Sequence, residues 1–404
     1  MREGWRLLRL GDLLSSRREM VSVASLDSVP YAGVHWYGLG VYPRSEAQGS
    51  SVKARELARI HTGQVVYNRM WSTRGAFGVA GPDADGCVVT NDFPVFDVLP
   101  AVLPAYFSLL FSTPEFQSAA ASLAMGTTER RRLLERDFTQ LIIELPPLAE
   151  QRRIVDLLAA TDGLASAAAA EREAARSTLV ALRENLIAAS AAPARPLADL
   201  LTDIDGGYSP VTEGRRPLPG ERAVLKLSAV RPARFDGSES KAVTRDVILP
   251  ERALVKEGDV LITRSNTPDT VGAVCRVRSV PADTYLSDLM LRLHPGLDVA
   301  GAYLAEALNT LAARRQITAS AKGTSGSMRK ISRSTIRQLE IPIPESRQAQ
   351  EQIVQILQDA GDLVDAANST AVCVGRLRQV LVQELLAGAR SIPASYDRLL
   401  EGVA

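Results

Sequence analysis

The chain has 404 residues, of which 46% are hydrophobic, so it is too long for one typical domain and can fill two or three cores. Its formal net charge of +1 gives no overall indication of a nucleic-acid or membrane partner, although an average can conceal segregated charge. No run of about 18 apolar residues occurs, and the three cysteines are far apart, which argues against membrane insertion, a disulfide framework and a zinc site. We therefore expect a globular, multi-domain protein of the reducing cytoplasm.

Two segments, residues 1–143 and 191–340, have the pattern of strands joined by turns. Short β-branched runs such as GQVVY and GCVVT in the first, and GDVLIT and GAVCRV in the second, lie between glycine and proline residues. The first segment holds 15 Lys and Arg against 14 Asp and Glu, whereas the second holds 22 against 17. Positive charge is therefore concentrated in the second segment.

Two other segments, residues 144–190 and 341–390, have the pattern of long helices, and residues 391–404 form a tail. After the starts ELPPLAEQRRIV and EIPIPESRQAQEQIV, apolar residues recur at alternating spacings of four and three. Central alanines would let the helix axes approach closely, so we predict an antiparallel, coiled-coil-like pair; two helices of a larger bundle are the alternative. About 42 residues at ~1.5 Å each make a rod of roughly 60 Å, which suits a spacer. The predicted seams are Ile154, Leu158, Thr161, Ala165, Ala168, Ala175, Leu179, Leu182 and Leu186, interrupted at Arg172, and Ile353, Leu357, Ala360, Val364, Ala367, Ala371, Val374, Leu377, Leu381 and Leu385.

The two halves of the chain also match each other in sequence. Four short matches occur in the same order, at offsets that drift only from 187 to 199 residues. We predict a tandem duplication and an α+β fold: two mixed α/β domains, related by a pseudo-two-fold internal repeat and separated by the two long helices. The matched positions are Leu10 with Leu197, Gly63 with Gly258, Arg69 with Arg264, Gly126 with Gly323, and Ile154 with Ile353.

A basic run in residues 314–337 is the sharpest electrostatic feature of the sequence. It contains seven cations and no acidic residue, and within it KGTSGSMRK combines a flexible loop with cations, a composition that lets backbone amides and side chains approach phosphates. The first half has GTTERRR at the matched place. A charge run is usually only a solvated face, but its recurrence in both halves favours nucleic-acid contact.

No motif for catalysis is evident. A glycine-rich S-adenosylmethionine loop, an Asn/Asp-Pro-Pro-aromatic tetrad and a P-loop are all missing from the sequence. Asp236, Glu239 and Lys241 could be interpreted as a nuclease site, but DGSESK is more typical of a polar surface turn. The three histidines, His35, His61 and His294, are not spaced as metal ligands.

The proline junctions resemble those of a known family. Residues 146–155, PPLAEQRRIV, are similar almost letter for letter to the signature of the specificity subunit of type I restriction-modification systems, and the half-repeat, the helices and the G-T-(T/S) loops extend the resemblance over nearly the whole chain. The resemblance implies two target-recognition domains that each read one part of a split DNA site, held apart by the helices. It also implies that the chain is not an enzyme and has no cofactor. Two methyltransferase subunits carrying S-adenosylmethionine and a restriction-translocation subunit would be its partners.

Candidate site residues follow from the matched positions and from the resemblance. Trp36, Tyr37, Trp71 and Tyr208 could stack on bases, although such aromatic residues are more often core; only Trp71, two residues beyond the repeated Arg69, stands out. We predict DNA contacts for Arg69, Trp71, Arg74, Thr127, Arg130, Arg131, Arg132, Arg264, Asn266, Lys322, Thr324, Ser325, Arg329, Lys330 and Arg333. For Arg264 a base contact, a phosphate contact and a structural role all stay open. The resemblance implies partner contacts for Pro146, Pro147, Glu150, Gln151, Arg152, Pro342, Pro344, Glu351 and Gln352.

Two features depart from the family pattern. The second junction is longer than the first, which questions whether both dock partners in the same way. The weakly basic first half predicts few DNA contacts there. Alternative functions are a self-sufficient DNA methyltransferase or nuclease with unrecognised motifs, or a DNA-binding regulator whose helices dimerise.

Overall fold

The computed structural model describes residues 4–126, 131–268, 270–325 and 328–398. The chain divides into two compact units: unit 1 comprises Met1–Ala168 with Thr370–Ala404, and unit 2 comprises Ala169–Ser369. The division falls inside both long helices, not at the ends predicted for them. Each unit therefore contains one sheet-rich part and one segment of each long helix.

Unit 1 begins with a strand-rich part whose first and last strands pair with each other. Its strands are β1 (Arg6–Arg9), β2 (Leu14–Ser16), β3 (Glu19–Ser22), β4 (Ser28–Val34), β5 (Val41–Gln48), β6 (Glu56–Arg59), β7 (Val65–Tyr67), β8 (Phe77–Val79), β9 (Val88–Val89), β10 (Val95–Val98) and β11 (Ile142–Leu145). Strand β1 pairs with β11, and two larger sheets have the orders β2-β10-β7-β8 and β3-β6-β9-β4-β5. Its helices are α1 (Pro104–Phe111), α2 (Pro114–Leu123), α3 (Glu135–Phe138) and α4 (Leu148–Ala189), the last of which continues into unit 2.

Unit 2 repeats the central part of this arrangement. Its strands are β12 (Ala194–Pro196), β13 (Leu201–Gly206), β14 (Ala223–Leu225), β15 (Val230–Arg231), β16 (Arg234–Phe235), β17 (Ser240–Ala242), β18 (Val260–Thr263), β19 (Ser265–Asn266), β20 (Val274–Arg276), β21 (Thr284–Tyr285), β22 (Met290–Pro295), β23 (Lys322–Ser325), β24 (Met328–Lys330) and β25 (Glu340–Pro342). Its helices are α5 (Leu197–Leu200), α6 (Gly301–Leu308), α7 (Leu311–Ser320), α8 (Arg333–Arg337) and α9 (Arg347–Leu386), the last of which continues into unit 1. The predicted combination of sheet-rich domains and two long helices is confirmed.

Matched sheets confirm the predicted duplication. The order β13-β22-β18-β20 corresponds strand for strand to β2-β10-β7-β8, and the pair β12-β25 corresponds to β1-β11. The N-cap residue of α2 is Thr113, whose side chain accepts a hydrogen bond from the amide of Phe116, and Thr310 caps α7 in the same way with Ala313. The second sheet differs, because the five-stranded sheet of unit 1 is replaced in unit 2 by smaller sheets, β17-β14-β21 and β15-β16. The shared frame and the variable insert are thus separate parts of each unit.

Within unit 1, the start of α4 packs against the end of α9. Ile154, Leu158 and Leu385 lie in one buried cluster, and Asp162 pairs with Arg378. Within unit 2, Ile187 near the end of α4 shares a cluster with Val354 near the start of α9. Both arrangements require the helices to run in opposite directions, so the antiparallel prediction is confirmed.

Most positions of the predicted helix seams are buried or half-buried, and one of them, Leu377, is exposed. Leu377 is 47% exposed, and the next residue, Arg378, faces the partner helix instead. Leu182 and Leu186 are only half-buried, whereas Arg183 and Ile187 are buried. The shift of one residue occurs because this end of α4 faces unit 2's own core, where Arg183 donates to Glu306 at 2.7 Å.

A buried glutamine joins each long helix to its sheet domain. Gln151, the fourth residue of α4, accepts from the amide of Leu103 at 2.9 Å and donates to the carbonyls of Ala101 and Pro146 at 3.2 and 2.9 Å. Gln350, the fourth residue of α9, accepts from the amide of Ala300 at 2.8 Å and donates to the carbonyls of Asp298 and Pro344 at 3.0 and 2.8 Å. Each amide thus satisfies backbone groups that would otherwise be buried without partners. The two contact sets are equivalent.

Other expectations concern cysteines and the membrane. Cys87 and Cys275 are buried, Cys373 is exposed, and all three are free thiols. In the parts of the chain that the structure describes, none of the helices has the length and apolar character needed to span a membrane.

Replacing Gln350 with leucine tests the connection between α9 and the sheet domain of unit 2. The substitution leaves the amide of Ala300 and the carbonyls of Asp298 and Pro344 without their partners. Because each unsatisfied buried group costs about 1–3 kcal/mol, we expect the melting temperature of unit 2 to fall by about 2–4 °C per kcal/mol in calorimetry. Gln352→Leu is the matched control, since Gln352 is exposed two residues along the same helix. Equal melting temperatures for the two variants would contradict this role.

Candidate nucleic-acid interface

The matched arginines occupy the same backbone frame in the two units. The amide of Arg69 donates to Asp92 at 3.0 Å, and its carbonyl accepts from Leu133 at 3.1 Å. In unit 2 the amide of Arg264 donates to Leu289 at 2.8 Å, and its carbonyl accepts from Ile331 at 2.9 Å. Each arginine therefore connects the end of a central strand to the residues that follow Gly126-Thr127 in unit 1 or Gly323-Thr324 in unit 2. The alignment of Arg69 with Arg264 is confirmed at the level of backbone position.

In unit 2 the basic run forms an exposed three-stranded ribbon. Strand β24 lies between β19 and β23, so that Lys330 is opposite both Ser265 and Lys322, and Arg329 is opposite Asn266. We call β19, β23 and β24 the basic ribbon. Two lysines directly opposite each other repel, which favours a site for an anion. Thr324 and Ser325 belong to β23 by their backbone, but their side chains lie outside the described part of the chain.

Two further cations adjoin the ribbon. Arg264 precedes β19 and is exposed, and Arg333 opens α8 and is also exposed. The guanidinium of Arg333 lies against Gly206, where a β-carbon would be only 2.8 Å from its Nη2 atom. Among the residues that the structure describes, five cations form no ion pair with a carboxylate. They are Arg264, Lys322, Arg329, Lys330 and Arg333. Their charge is available to a ligand.

Not every cation of the run belongs to this surface. Arg314 is largely buried and donates to the carbonyls of Gly272 and Val271 at 2.5 and 3.0 Å, and burial lowers the pKa of its guanidinium. Arg337 lies 3.9 Å from Asp203. These two residues have partners within unit 2 and do not add free charge to the ribbon.

The corresponding cations of unit 1 are engaged inside the unit. Met125 and Arg132 exchange backbone hydrogen bonds of 3.0 and 2.8 Å, at the place of Lys322 and Lys330. Arg131 donates to the carbonyls of Ala121 and Ala124, so its guanidinium stabilises the end of α2. The side chain of Arg132 lies 3.6 Å from Asp92. The predicted residues Thr127 and Arg130 lie outside the described residues.

A charge reversal between the units is a second difference. Helix α3 begins with Glu135, which accepts hydrogen bonds from Arg18 at 2.8 Å and from Arg69. Helix α8 begins at the same place with Arg333. Arg69 therefore shares an acidic partner with Arg18, whereas unit 2 has a cation at the position of that carboxylate. The side chain of Arg69 is only 22% exposed, and its contact with DNA stays a prediction.

The backbone match identifies the residues that are reversed. Leu133 and Ile331, which donate to the carbonyls of Arg69 and Arg264, are 198 residues apart, and the same offset places Glu135 on Arg333. Beneath Glu135 the hydroxyl of Tyr67 donates to the carbonyl of Leu133 at 3.1 Å, and burial raises the pKa of Tyr67 well above its usual value. Glu135 therefore lies directly above the core of unit 1.

Exposed aromatic residues accompany the weaker charge of unit 1. Trp71 contacts the ring of Trp36, with centroids 5.5 Å apart, and the guanidinium of Arg74 lies 5.9 Å from the centroid of Trp36. Trp36, Tyr37 and Trp71 are each close to half exposed. In unit 2 the position of Trp71 is taken by Asn266. Tyr208 of unit 2 is 43% exposed.

The structure distributes the predicted partner-binding residues between buried and exposed positions. Pro146 and Gln151 are buried, and the amide of Gln151 is fully used within unit 1, so a partner contact for these two residues remains only a prediction. Glu150 accepts from the indole of Trp5 at 3.1 Å. The other predicted residues lie at or near the surface: Pro147, Arg152, Pro342, Pro344, Glu351 and Gln352.

The two junctions attach their helices through equivalent residues. The counterpart of Gln151 is Gln350, as the alignment of Ile154 with Ile353 predicts, and both buried glutamines are the fourth residue of their helix. The second junction has one residue more between Pro344 and Gln350 than the first has between Pro146 and Gln151. This additional residue lies before α9 begins. The greater length therefore leaves the attachment of helix to sheet unchanged.

The nuclease interpretation receives no support from the geometry. Asp236 accepts from the amide and hydroxyl of Ser238 at 3.0 and 2.7 Å, which closes a turn and lowers the pKa of its carboxyl group. Glu239 accepts from Ser228 at 2.7 Å and lies 3.7 Å from Lys226. The described residues contain no group of three or more His, Cys, Asp or Glu placed to hold a metal ion. The predicted turn is present at Asp236–Ser238, whereas Ser240 is buried at the start of β17.

Comparison with solved structures defines the class of this fold, which is that of the specificity subunits of type I restriction-modification systems. The chain is similar to the HsdS subunit from Thermoanaerobacter tengcongensis, with 19% identity, 96% of this chain and 98% of that chain covered, and a TM-score of 0.52. It is similar to the S subunit from M. genitalium, with 14% identity, 95% and 96% coverage, and a TM-score of 0.56. A chain from a study of complex assembly and conformational transition of the type I R-M system gives 20% identity, 95% and 98% coverage, and a TM-score of 0.57.

A sequence relative points to the same class. The chain is 26% identical to the specificity subunit of the type I restriction enzyme EcoEI from Escherichia coli over 176 residues, which is 43% of this chain. The match spans only 29% of the length of that relative. No protein-family model matches the chain. The predicted resemblance to type I specificity subunits is thus confirmed in sequence and in fold.

Replacing Glu135 with glutamine tests the charge reversal. The substitution releases Arg18 and Arg69, so we expect tighter binding to duplex DNA of any sequence. Each additional phosphate contact should steepen the slope of log affinity against log salt by about 0.9. Glu115→Gln, which removes the same charge from an exposed position of α2, is the control. If both variants bind equally, Arg69 does not face DNA.

Proposed function

We propose that this chain is the DNA-recognising specificity subunit of a type I restriction-modification complex. The observation that carries the proposal is the repeated frame around Arg69 and Arg264, each followed by a hairpin and by a long helix attached through a buried glutamine. A duplicated frame of this kind suits a DNA site of two separate parts. Unit 1 would read one part and unit 2 the other.

The basic ribbon of unit 2 supports contact with the DNA backbone. Lys322, Arg329 and Lys330 are exposed, adjacent and unpaired among the described residues, and such cations contact phosphates without reading sequence. Arg264 and Arg333 lie beside them, where a guanidinium could reach a base edge. Sequence would thus be read next to a set of positioning contacts.

Catalysis would lie in the partners. We infer that two methyltransferase subunits dock on the junctions and long helices, that they carry the S-adenosylmethionine, and that a restriction-translocation subunit joins them. The exposed junction residues Arg152 and Gln352 are available for such contacts. In this proposal the chain has no cofactor of its own and acts in the cytoplasm, where the host DNA is.

Two experiments separate this function from its alternatives. The purified chain alone, incubated with DNA and labelled S-adenosylmethionine, should transfer no label, and it should leave the DNA uncleaved with Mg²⁺ present. Transfer or cleavage would identify a self-sufficient enzyme. Co-expression with the methyltransferase should yield a stable complex that methylates DNA, whereas a DNA-binding regulator would not co-purify with it.

Substituting the basic ribbon tests the backbone contacts. Replacing Lys322, Arg329 and Lys330 together with alanine should weaken binding to all DNA sequences. The slope of log affinity against log salt should fall by about 2 to 3, because each phosphate contact contributes about 0.9.

A second triple variant provides the matched control. Lys241, Arg245 and Lys256 are exposed cations of unit 2 outside the ribbon, and their replacement by alanine removes the same charge. An equal loss of slope in both variants would show that only net charge matters. An unchanged slope in the ribbon variant would show that the ribbon does not touch the DNA.

Helix length provides a further test, since the proposal makes the two long helices the spacer between the half-sites. A four-residue insertion near Arg172 adds about 6 Å of helical rise, or roughly two base pairs, and rotates the rest of the helix by little more than one full turn. We expect the half-site sequences to stay the same and the gap between them to grow. Methylome sequencing of cells that carry the variant and its partner methyltransferase measures both.

The same insertion after Gly214, in an exposed loop of unit 2, is the control and should leave the gap unchanged. Methylation with an unaltered gap in the helix variant would show that the helices do not set the spacing. A change in the half-sites themselves would show that the recognition domains lie elsewhere.

A further inference from the structure

Unit 1 presents an aromatic surface to solvent. The side chains of Trp36 and Trp71 are each 44% exposed and that of Tyr37 is 56% exposed, although the large aromatic residues Tyr67 and Phe77 of the same unit are completely buried. The rings of Trp36 and Tyr37 meet edge to face, with centroids 6.5 Å apart. We call Trp36, Tyr37 and Trp71 the aromatic platform. Exposed apolar groups of this size in one place are typical of interaction surfaces.

The backbone beneath the platform is held in an unusual conformation. Tyr37 has a φ of 61°, which L-residues rarely adopt, and Gly38 follows with a φ of 71°. A β-carbon on Gly38 would be 2.4 Å from the carbonyl oxygen of Phe111, and the amide of Gly38 donates to Gly75 at 2.8 Å. The surrounding contacts maintain this strained backbone beneath exposed side chains, which is typical of functional sites. A surface that is held rigid in this way loses little conformational entropy on binding.

The platform is continuous with the hairpin that corresponds to the basic ribbon. Trp71 lies two residues beyond Arg69, and between them Met70 contacts the guanidinium of Arg132, with Sδ and Nη2 3.5 Å apart. In unit 2 the counterpart of Trp71 is Asn266, which pairs with Arg329 inside the basic ribbon. Trp71 therefore has the position that the proposed function assigns to DNA contact.

The charge of the surface suits a polyanion but provides few free cations. Arg74 is exposed and lies over the face of Trp36, at a distance that suits a cation–π contact. Arg69 and Arg131 are engaged with Glu135 and with the end of α2. Contact with DNA at this surface must therefore depend more on apolar packing than on phosphate neutralisation.

We propose that the aromatic platform is the base-contacting element of unit 1 and that its indole rings pack on the C5 methyl groups of thymines in the half-site of unit 1. This inference rests on the proposed function. The thymine methyl is the apolar group that duplex DNA offers in the major groove, and an apolar side chain distinguishes it from the other bases. The two units then bind by different chemistry, unit 2 through cations and unit 1 through aromatic rings.

Removing single methyl groups from the DNA tests the proposal directly. With the methylated site known from sequencing, each thymine of the unit 1 half-site is replaced by uracil, which keeps base pairing and removes only the methyl. For the full-length chain in complex with its methyltransferase, we expect at least one position to weaken binding about three- to fivefold, from ~0.8 kcal/mol per buried methyl-sized group. Full affinity with uracil at every thymine of this half-site, or a half-site without thymine, overturns the proposal.

Protein variants link the effect to the platform. Trp71→Gln shortens the side chain and replaces its apolar ring with a polar amide, and Trp36→Ala/Trp71→Ala removes both rings. Both variants should bind the thymine site more weakly, lose the difference between thymine and uracil, and keep the salt slope of the native chain. Persistence of the thymine preference in Trp71→Gln would show that other residues contact the methyl groups.

Controls separate failure of this inference from failure of the proposed function. Tyr208→Ala, at an exposed aromatic residue of unit 2, should keep the thymine preference in the unit 1 half-site. Specific binding without any role for the platform would reject the inference and leave the proposed function intact. Failure of the native complex to recognise any specific site would reject both.

Discussion

The attachment of each long helix to its sheet domain depends on one buried side-chain amide. Gln151 and Gln350 each make three hydrogen bonds, to the backbone just before α1 or α6 and to the proline junction. A side chain in this position satisfies groups that water cannot reach, so the helix cannot turn relative to the sheet without leaving them unpaired. Any use of the helices to position the sheet domains requires such a joint, since a spacer on a flexible connection would set no distance.

The shared frame and the variable surface of each unit are physically separate. The four-stranded sheet, the helices after it and the glutamine joint are the same in both units. The second sheet and the residues around the hairpin differ. A duplicated protein of this kind can change what one unit binds, through a few side chains on the shared frame, without disturbing the core that holds it.

The clearest of these changes is the reversal of charge at the start of α3 and α8. Glu135 pairs with Arg69 and Arg18 in unit 1, whereas the matching position of unit 2 holds the cation Arg333. The net charges of the two sheet-rich segments, which differ by four in the sequence, therefore understate the difference at the surface itself. Unit 1 has the exposed Trp71 where unit 2 has Asn266, and Glu135 where unit 2 has Arg333, and the proposed division of binding chemistry follows from this contrast.

The sequence by itself determined the duplication, the order of strand-rich and helical segments and the resemblance to type I specificity subunits, because these depend on periodicity and on motifs along the chain. The opposite direction of the helices was a prediction that the tertiary contacts confirmed, since the same apolar periodicity suits parallel and antiparallel pairs. Tertiary structure alone decided which side chains are buried and which charges are neutralised. Arg378 takes the inward position expected for Leu377 because Asp162, 216 residues away, lies opposite it. Arg69 is paired because a residue 66 positions later folds onto it, and Gln151 is buried because the backbone near Leu103 reaches it. Contacts between residues so far apart in the chain leave no local pattern, and the folded backbone brings them together.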